Sequence, residues 1–127
     1  PNNIIDPKNN LKKIAIIFKK MPEKKWYKIA PSKEELFEPP NDKTEVTIEG
    51  KTICVISINE TLYACAAKCP HAGGRLMYGK TDLAGNIVCP VHHYRFNLKN
   101  GFNTSGEGYF LTTWRIAEKE DGIYILL

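Results

Sequence analysis

No run of apolar residues in this chain approaches the roughly 20 that a helix needs to cross a bilayer. The nearest candidate, Leu11 to Phe18, is short and broken by Lys12 and Lys13. A membrane protein is therefore not expected. An apolar leader core and a small-residue cleavage site are also missing near the start, and the cytoplasm is the expected location. No internal repeat and no sustained helical period stand out, which argues against solenoids and helical bundles. Nor is there a large excess of one charge. The formal net charge is +4, and much of it comes from Lys12, Lys13, Lys19, Lys20, Lys24 and Lys25. A solvated lysine face accounts for this run, and no nucleic-acid partner is expected.

What remains is a chain of 127 residues, enough for one domain with a substantial core. Residues 1 to 24 read as an arm rich in Pro, Asn and Lys. Ile14, Ile16 and Phe18 alternate there as a short strand or partner-binding segment would, and Met21 is a candidate native start. Residues 25 to 127 read as the domain proper. Trp26 to Ala30 is a first strand, and Ser32 with Glu35 three residues on suggests a capped turn. Glu45 to Glu49 and Thr52 to Ile58 form a hairpin about Gly50. Asn59-Glu60 turns the chain into Thr61 to Ala66. Short strands at Ile87-Val88 and Phe96 to Leu98 follow. A last hairpin pairs Trp114 to Ala117 with Ile123 to Leu126. Many short strands with glycine turns point to an all-β fold, an antiparallel sandwich or open barrel.

The chemistry is concentrated in two short pieces. Cys69-Pro70-His71 and Cys89-Pro90-Val91-His92 each offer one thiolate and one imidazole. Two sulfurs and two imidazoles suit either a tetrahedral zinc or a 2Fe–2S cluster with unlike ligand pairs on its two irons. Zinc sites usually pair like ligands, as Cys-x(2–4)-Cys and His-x(3–5)-His, whereas both pairs here are mixed. Glycines at 73 and 74 permit tight turns. Pro70 and Pro90 set φ just after each Cys. Loop N–H groups are then free to point at sulfur.

From Cys69 to Gly101 the chain resembles the Rieske iron–sulfur family. The likeness rests on Cys69-Pro70-His71-Ala72-Gly73-Gly74, with Leu76 and Gly79 beyond it. It rests equally on Cys89-Pro90-Val91-His92-His93-Tyr94-Arg95-Phe96-Asn97, with a Lys99-Asn100-Gly101 turn. The resemblance implies antiparallel sheets with a small two-loop cluster-binding subdomain, at about residues 68–80 and 88–97. It implies one 2Fe–2S cluster, with Cys69 and Cys89 on the buried iron and His71 and His92 on the outer one. It implies a soluble one-electron carrier between a reductase and an oxygenase or other acceptor, with no catalytic site of its own.

Departures from the family pattern sharpen the expectation. High-potential relatives tie the two loops with a disulfide, at positions held here by Gly74 and Val91. They also place hydroxyls near the cluster, where this chain has Tyr94 and Phe96. A low potential, roughly −100 to −200 mV, is expected. His93 stands where soluble ferredoxins usually have Gly, and is expected to be a loop or solvent residue. Arg75 and Met77 are expected to flank the histidine edge. Thr104 to Gly108 resembles the covering third loop but lacks its proline, so a looser loop is expected. Cys54 and Cys65 are expected to be core thiols. With three histidines in the chain, none is left for a mononuclear iron site of two His and a carboxylate. Two alternatives stay open: the small subunit of a multi-component reductase such as nitrite reductase, and a zinc-binding interaction module.

Overall fold

The turns set the register. A computed structural model describes residues 23–127. The arm expected over residues 1–24, with Ile14, Ile16, Phe18 and Met21, lies outside the described residues except for Glu23 and Lys24. The chain runs through β1 (Trp26–Ala30), α1 (Lys33–Leu36), β2 (Lys43–Ile48), β3 (Lys51–Ile58), β4 (Thr61–Ala66), β5 (Lys80–Thr81), β6 (Asn86–Val88), β7 (Arg95–Asn97), β8 (Thr113–Lys119) and β9 (Gly122–Leu126). Asn59 and Glu60 take φ of 47° and 67°, the left-handed pair of a two-residue hairpin turn. They place Ile58 opposite Thr61. Glu49 and Gly50, at 50° and 76°, do the same for Ile48 and Lys51. Ser32 caps α1 by accepting from the Glu35 N–H at 3.3 Å.

One antiparallel sheet has the order β1-β9-β8-β4-β3-β2, and a smaller one the order β5-β6-β7. This is the all-β architecture expected. The β3–β4 hairpin is a wall with a core on each side. Ile53, Val55 and Ala64 pack with Phe37 and Ile125 on one face. Cys54, Ile56 and Cys65 pack with Leu76, Ile87, Phe96, Leu98 and Leu111 on the other. Burial on both faces explains why Ile53 to Ile56 is continuously apolar rather than alternating. Each fully buried Ile or Phe contributes roughly 1.5–3 kcal/mol.

Cys54 and Cys65 stand directly opposite each other in this wall, as buried free thiols. The Cys54 sulfur beside it, and then burial, push the Cys65 thiol well up. The second core also contains Cys69 and Cys89, so the wall supports the loops that follow. The first loop leaves β4 and reaches β5 through a 3₁₀ turn at Leu76–Tyr78. The second joins β6 to β7. Among the described residues, no helix is long and apolar enough to cross a membrane.

Candidate cofactor site at two matched loops

Both loops are built on the same backbone frame. The Cys69 N–H donates to the Gly74 carbonyl at 2.8 Å, and the Gly73 N–H donates back to the Cys69 carbonyl at 3.0 Å. In the second loop the Cys89 N–H donates to the Tyr94 carbonyl at 2.8 Å, and the His93 N–H to the Cys89 carbonyl at 3.0 Å. The fifth residue of each frame is left-handed, Gly73 at φ 73° and His93 at 63°. His93 thus fills a position that favours glycine for steric reasons, and its side chain is exposed.

The frame brings the four expected donors together as two pairs. The thiols of Cys69 and Cys89 are 3% and 1% exposed and lie beside each other. Burial pushes the Cys69 thiol up. The His71 N–H, directed at the sulfur, pulls it down, the neighbouring Cys89 raises it, and the Ala72 N–H lowers it. The His71 and Ala72 amides thus lie close enough to the Cys69 sulfur to favour its thiolate. The imidazoles of His71 and His92 meet edge-on, with centroids 4.7 Å apart. His71 is half-buried and His92 exposed. Paired donors of this kind suit a two-metal group better than one tetrahedral ion.

The residues also fit such a group locally. The His71 Nδ1 is buried and has no hydrogen-bond partner. A buried polar atom without a partner is costly, and a metal bond would satisfy it. Gly74 makes room for the sulfur. A Cβ built there would lie 2.8 Å from Cys89 Sγ and 2.7 Å from Val91 Cγ2. Gly74 and Val91 face each other across the loops.

Three expectations need revision. Arg75 turns its guanidinium toward Glu45 of β2, with Nη2–Oε1 at 2.5 Å, and over the Tyr78 ring at 4.9 Å. Met77 packs partly buried on the inner core. The aromatic neighbours of His71 are instead Tyr94 and Tyr109. Nor is the third loop loose. Asn103 Oδ1 accepts from the N–H groups of Glu107 and Gly108, and its Nδ2 donates to the Arg95 carbonyl and the Glu107 carboxylate. Donation from Ser105 and then Asn103 holds the Glu107 carboxyl below its ordinary range. Sequence reasoning reaches the Thr104–Gly108 loop but neither Asn103 nor Tyr109. The one signal in sequence was the Asn-to-Gly spacing of a side-chain-closed turn. Tyr94 spends its ring on stacking, while burial, then Tyr109, raise its phenol. Phe96 lies wholly in the core.

A β scaffold that lifts a buried thiol pair and an outer imidazole pair on twin loops defines a small domain built around an inorganic centre. Residues 25–107 match the Rieske [2Fe-2S] domain, and the chain belongs to that family, whose cofactor is one 2Fe–2S cluster. The chain is similar to the ferredoxin component of the naphthalene 1,2-dioxygenase system of Pseudomonas aeruginosa, 32% identical over 63 residues, which are 50% of this chain and 60% of the relative. The corresponding component of Pseudomonas putida is 32% identical over 60 residues, 47% of this chain and 57% of its own length. The match thus spans less than two thirds of these curated relatives. Among solved structures, the ferredoxin of carbazole 1,9a-dioxygenase from Nocardioides aromaticivorans IC177 aligns with a TM-score of 0.66 at 20% identity, over 77% of this chain and 95% of its own. A Mycobacterium tuberculosis structure described as an NADH-dependent nitrite reductase small subunit aligns with a TM-score of 0.70 at 13% identity, over 84% and 97%. At such identities these structures speak to the fold alone.

Proposed function

We propose that this chain is a one-electron carrier, with Cys69 and Cys89 holding the inner iron of a 2Fe–2S cluster and His71 and His92 the outer one. When bound, the cluster accepts and releases a single electron. The residues supply the rest. The buried thiol pair excludes water from the inner side. The amides of His71 and Ala72 direct partial positive charge at sulfur. The exposed His92 gives a partner protein a close approach. The observation that carries the reading is the pairing of donors on matched frames, with the unpartnered His71 Nδ1 among them.

A reductase and an oxygenase are the partner classes this reading favours, because the curated relatives are ferredoxin components of dioxygenase systems. The cytoplasm is the location this reading favours, as the place where a carrier of this kind would meet a reductase and an oxygenase. A low potential, roughly −100 to −200 mV, is favoured by the lack of a hydroxyl on Phe96. The like pairing, thiol beside thiol and imidazole beside imidazole, weighs against a single zinc. The reductase-subunit reading has the same cluster and differs in its partner.

The test is an electron paramagnetic resonance spectrum of the reduced protein. An average g near about 1.9 is expected for a mixed Cys/His cluster, with a red-brown oxidised form. A colourless, zinc-loaded protein would reject the carrier. Co-purification with a sirohaem protein would move the chain to the reductase.

A further inference from the structure

The His71 imidazole packs into a corner formed by two tyrosine rings. Tyr94 stacks on it with centroids 4.3 Å apart and planes at 24°. Tyr109 closes on it at 5.1 Å and 57°, and the two phenols are 5.8 Å from each other. His92 is treated differently. Apart from His71, its aromatic neighbour is Tyr94 at 6.1 Å, and its side chain is exposed.

Two segments beyond its own loop converge on this ring: the second loop and the chain after the third loop. The last is placed by Asn103, whose Oδ1 accepts from the Glu107 and Gly108 N–H groups just before Tyr109. An imidazole held to a metal by one bond can turn about that bond. Proteins usually stop this rotation with a hydrogen bond from the second ring nitrogen. Stacked aromatic faces can do the same work through packing and quadrupole complementarity.

We propose that Tyr94 and Tyr109 are positioning residues that clamp the His71 ring from two adjacent sides, fixing the direction in which its Nδ1 faces the cluster, and that among the described residues His92 has no equivalent clamp. The inference rests on the carrier reading above. It assigns the clamp to the ring of Tyr94 rather than to its hydroxyl.

The experiment compares reduced holoprotein of the parent, Tyr94→Phe, Tyr94→Leu and Tyr109→Ala. Pulsed electron paramagnetic resonance resolves the nitrogen couplings of the two histidines, and bleaching in excess chelator reports cluster release. Tyr94→Phe should match the parent in both. Tyr94→Leu should change one nitrogen coupling and leave the other, and should bleach roughly tenfold faster. Tyr109→Ala, at a residue 40% exposed and so tolerant of truncation, should change the same coupling and bleach roughly threefold faster. Parent-like couplings in Tyr94→Leu and Tyr109→Ala would overturn the clamp. So would equal damage in Tyr94→Phe and Tyr94→Leu. A parent with no histidine nitrogen coupling would overturn the carrier reading itself, and the clamp with it.

Discussion

The two loops share a backbone and diverge in what hangs from it. Each begins at a Cys and closes with the same two hydrogen bonds. In the first loop the imidazole comes third, at His71, and two glycines follow. In the second it comes fourth, at His92, and a His and a Tyr follow. The glycines of the first loop leave space that the second loop fills. Val91 and Cys89 Sγ press where a Gly74 side chain would be, and Tyr94 lies over His71. The difference teaches that the site is assembled by complementation. One loop contributes room, and the other contributes bulk and an aromatic cover.

The largest expected effects come from breaking the donor pairs. Cys89→Ser, His71→Ala and His92→Ala should each abolish the visible colour and the reduced-state resonance signal. His93→Ala should leave both intact, although His93 adjoins His92. A colourless His93→Ala variant would show that the donors had been assigned to the wrong residues. Next in size is Gly74→Ala. Its φ is not left-handed, so the cost is steric, set by contacts of 2.7 and 2.8 Å with Val91 Cγ2 and Cys89 Sγ. Overpacking of this kind costs roughly 1–3 kcal/mol, and because one contact is with a donor sulfur, iron content should fall with stability. Adding Val91→Ala should recover part of the stability but not the iron, since the clash with sulfur persists. Full recovery of both would mean that the loops part more easily than their hydrogen bonds suggest.

Much of this could be read from residue types alone, and the reasons are local. The proposed donors are spelled out by side-chain chemistry at fixed spacing. Asn59-Glu60 carries its own turn preference, and the hairpin register follows from it. The strand Lys80–Thr81 and the 3₁₀ turn Leu76–Tyr78 were not legible. Neither has a pattern of its own, and Lys80–Thr81 exists through pairing with Val88 and Ile87. The wall at β3 is legible as a strand but not as a partition, because burial on both faces depends on what the later loops bring to it. Tyr109 on His71, Arg75 on Glu45 and the Asn103 hub are contacts between distant segments. Sequence spacing does not encode which distant groups will meet.

A smaller effect is expected at the third loop. Asn103→Ala removes the acceptor of two backbone N–H groups and the donor to Arg95 and Glu107. Each net hydrogen bond is worth about 0.5–1.5 kcal/mol, and the exposed amides can turn to water, so a total loss near ~1 kcal/mol is expected in denaturant titration. Hydrogen exchange at Glu107 and Gly108 should accelerate, while the amides of Cys69 and Cys89 keep their protection. Equal acceleration in all four would show that the third loop holds the other two together rather than covering them.

The smallest effect isolates the backbone of the comparison itself. Gly73 and His93 occupy equivalent left-handed positions, and a Cβ at Gly73 would meet nothing within 4 Å. Gly73→Ala therefore tests conformation without packing. The left-handed region costs a residue with a Cβ roughly 1–2 kcal/mol, and removing Gly returns about 0.5–1 kcal/mol of unfolded-state entropy. A net loss of about 0.5–1 kcal/mol is expected. His93→Gly runs the same exchange backwards and should raise stability by a similar amount, roughly 2–6 °C in melting temperature for a domain of this size. Neither change touches a donor, so the resonance spectrum should be unaltered in both. If His93→Gly instead destabilises, the exposed ring makes a contact that outweighs its strained backbone, and the two loops are equivalent in hydrogen bonding but not in energy.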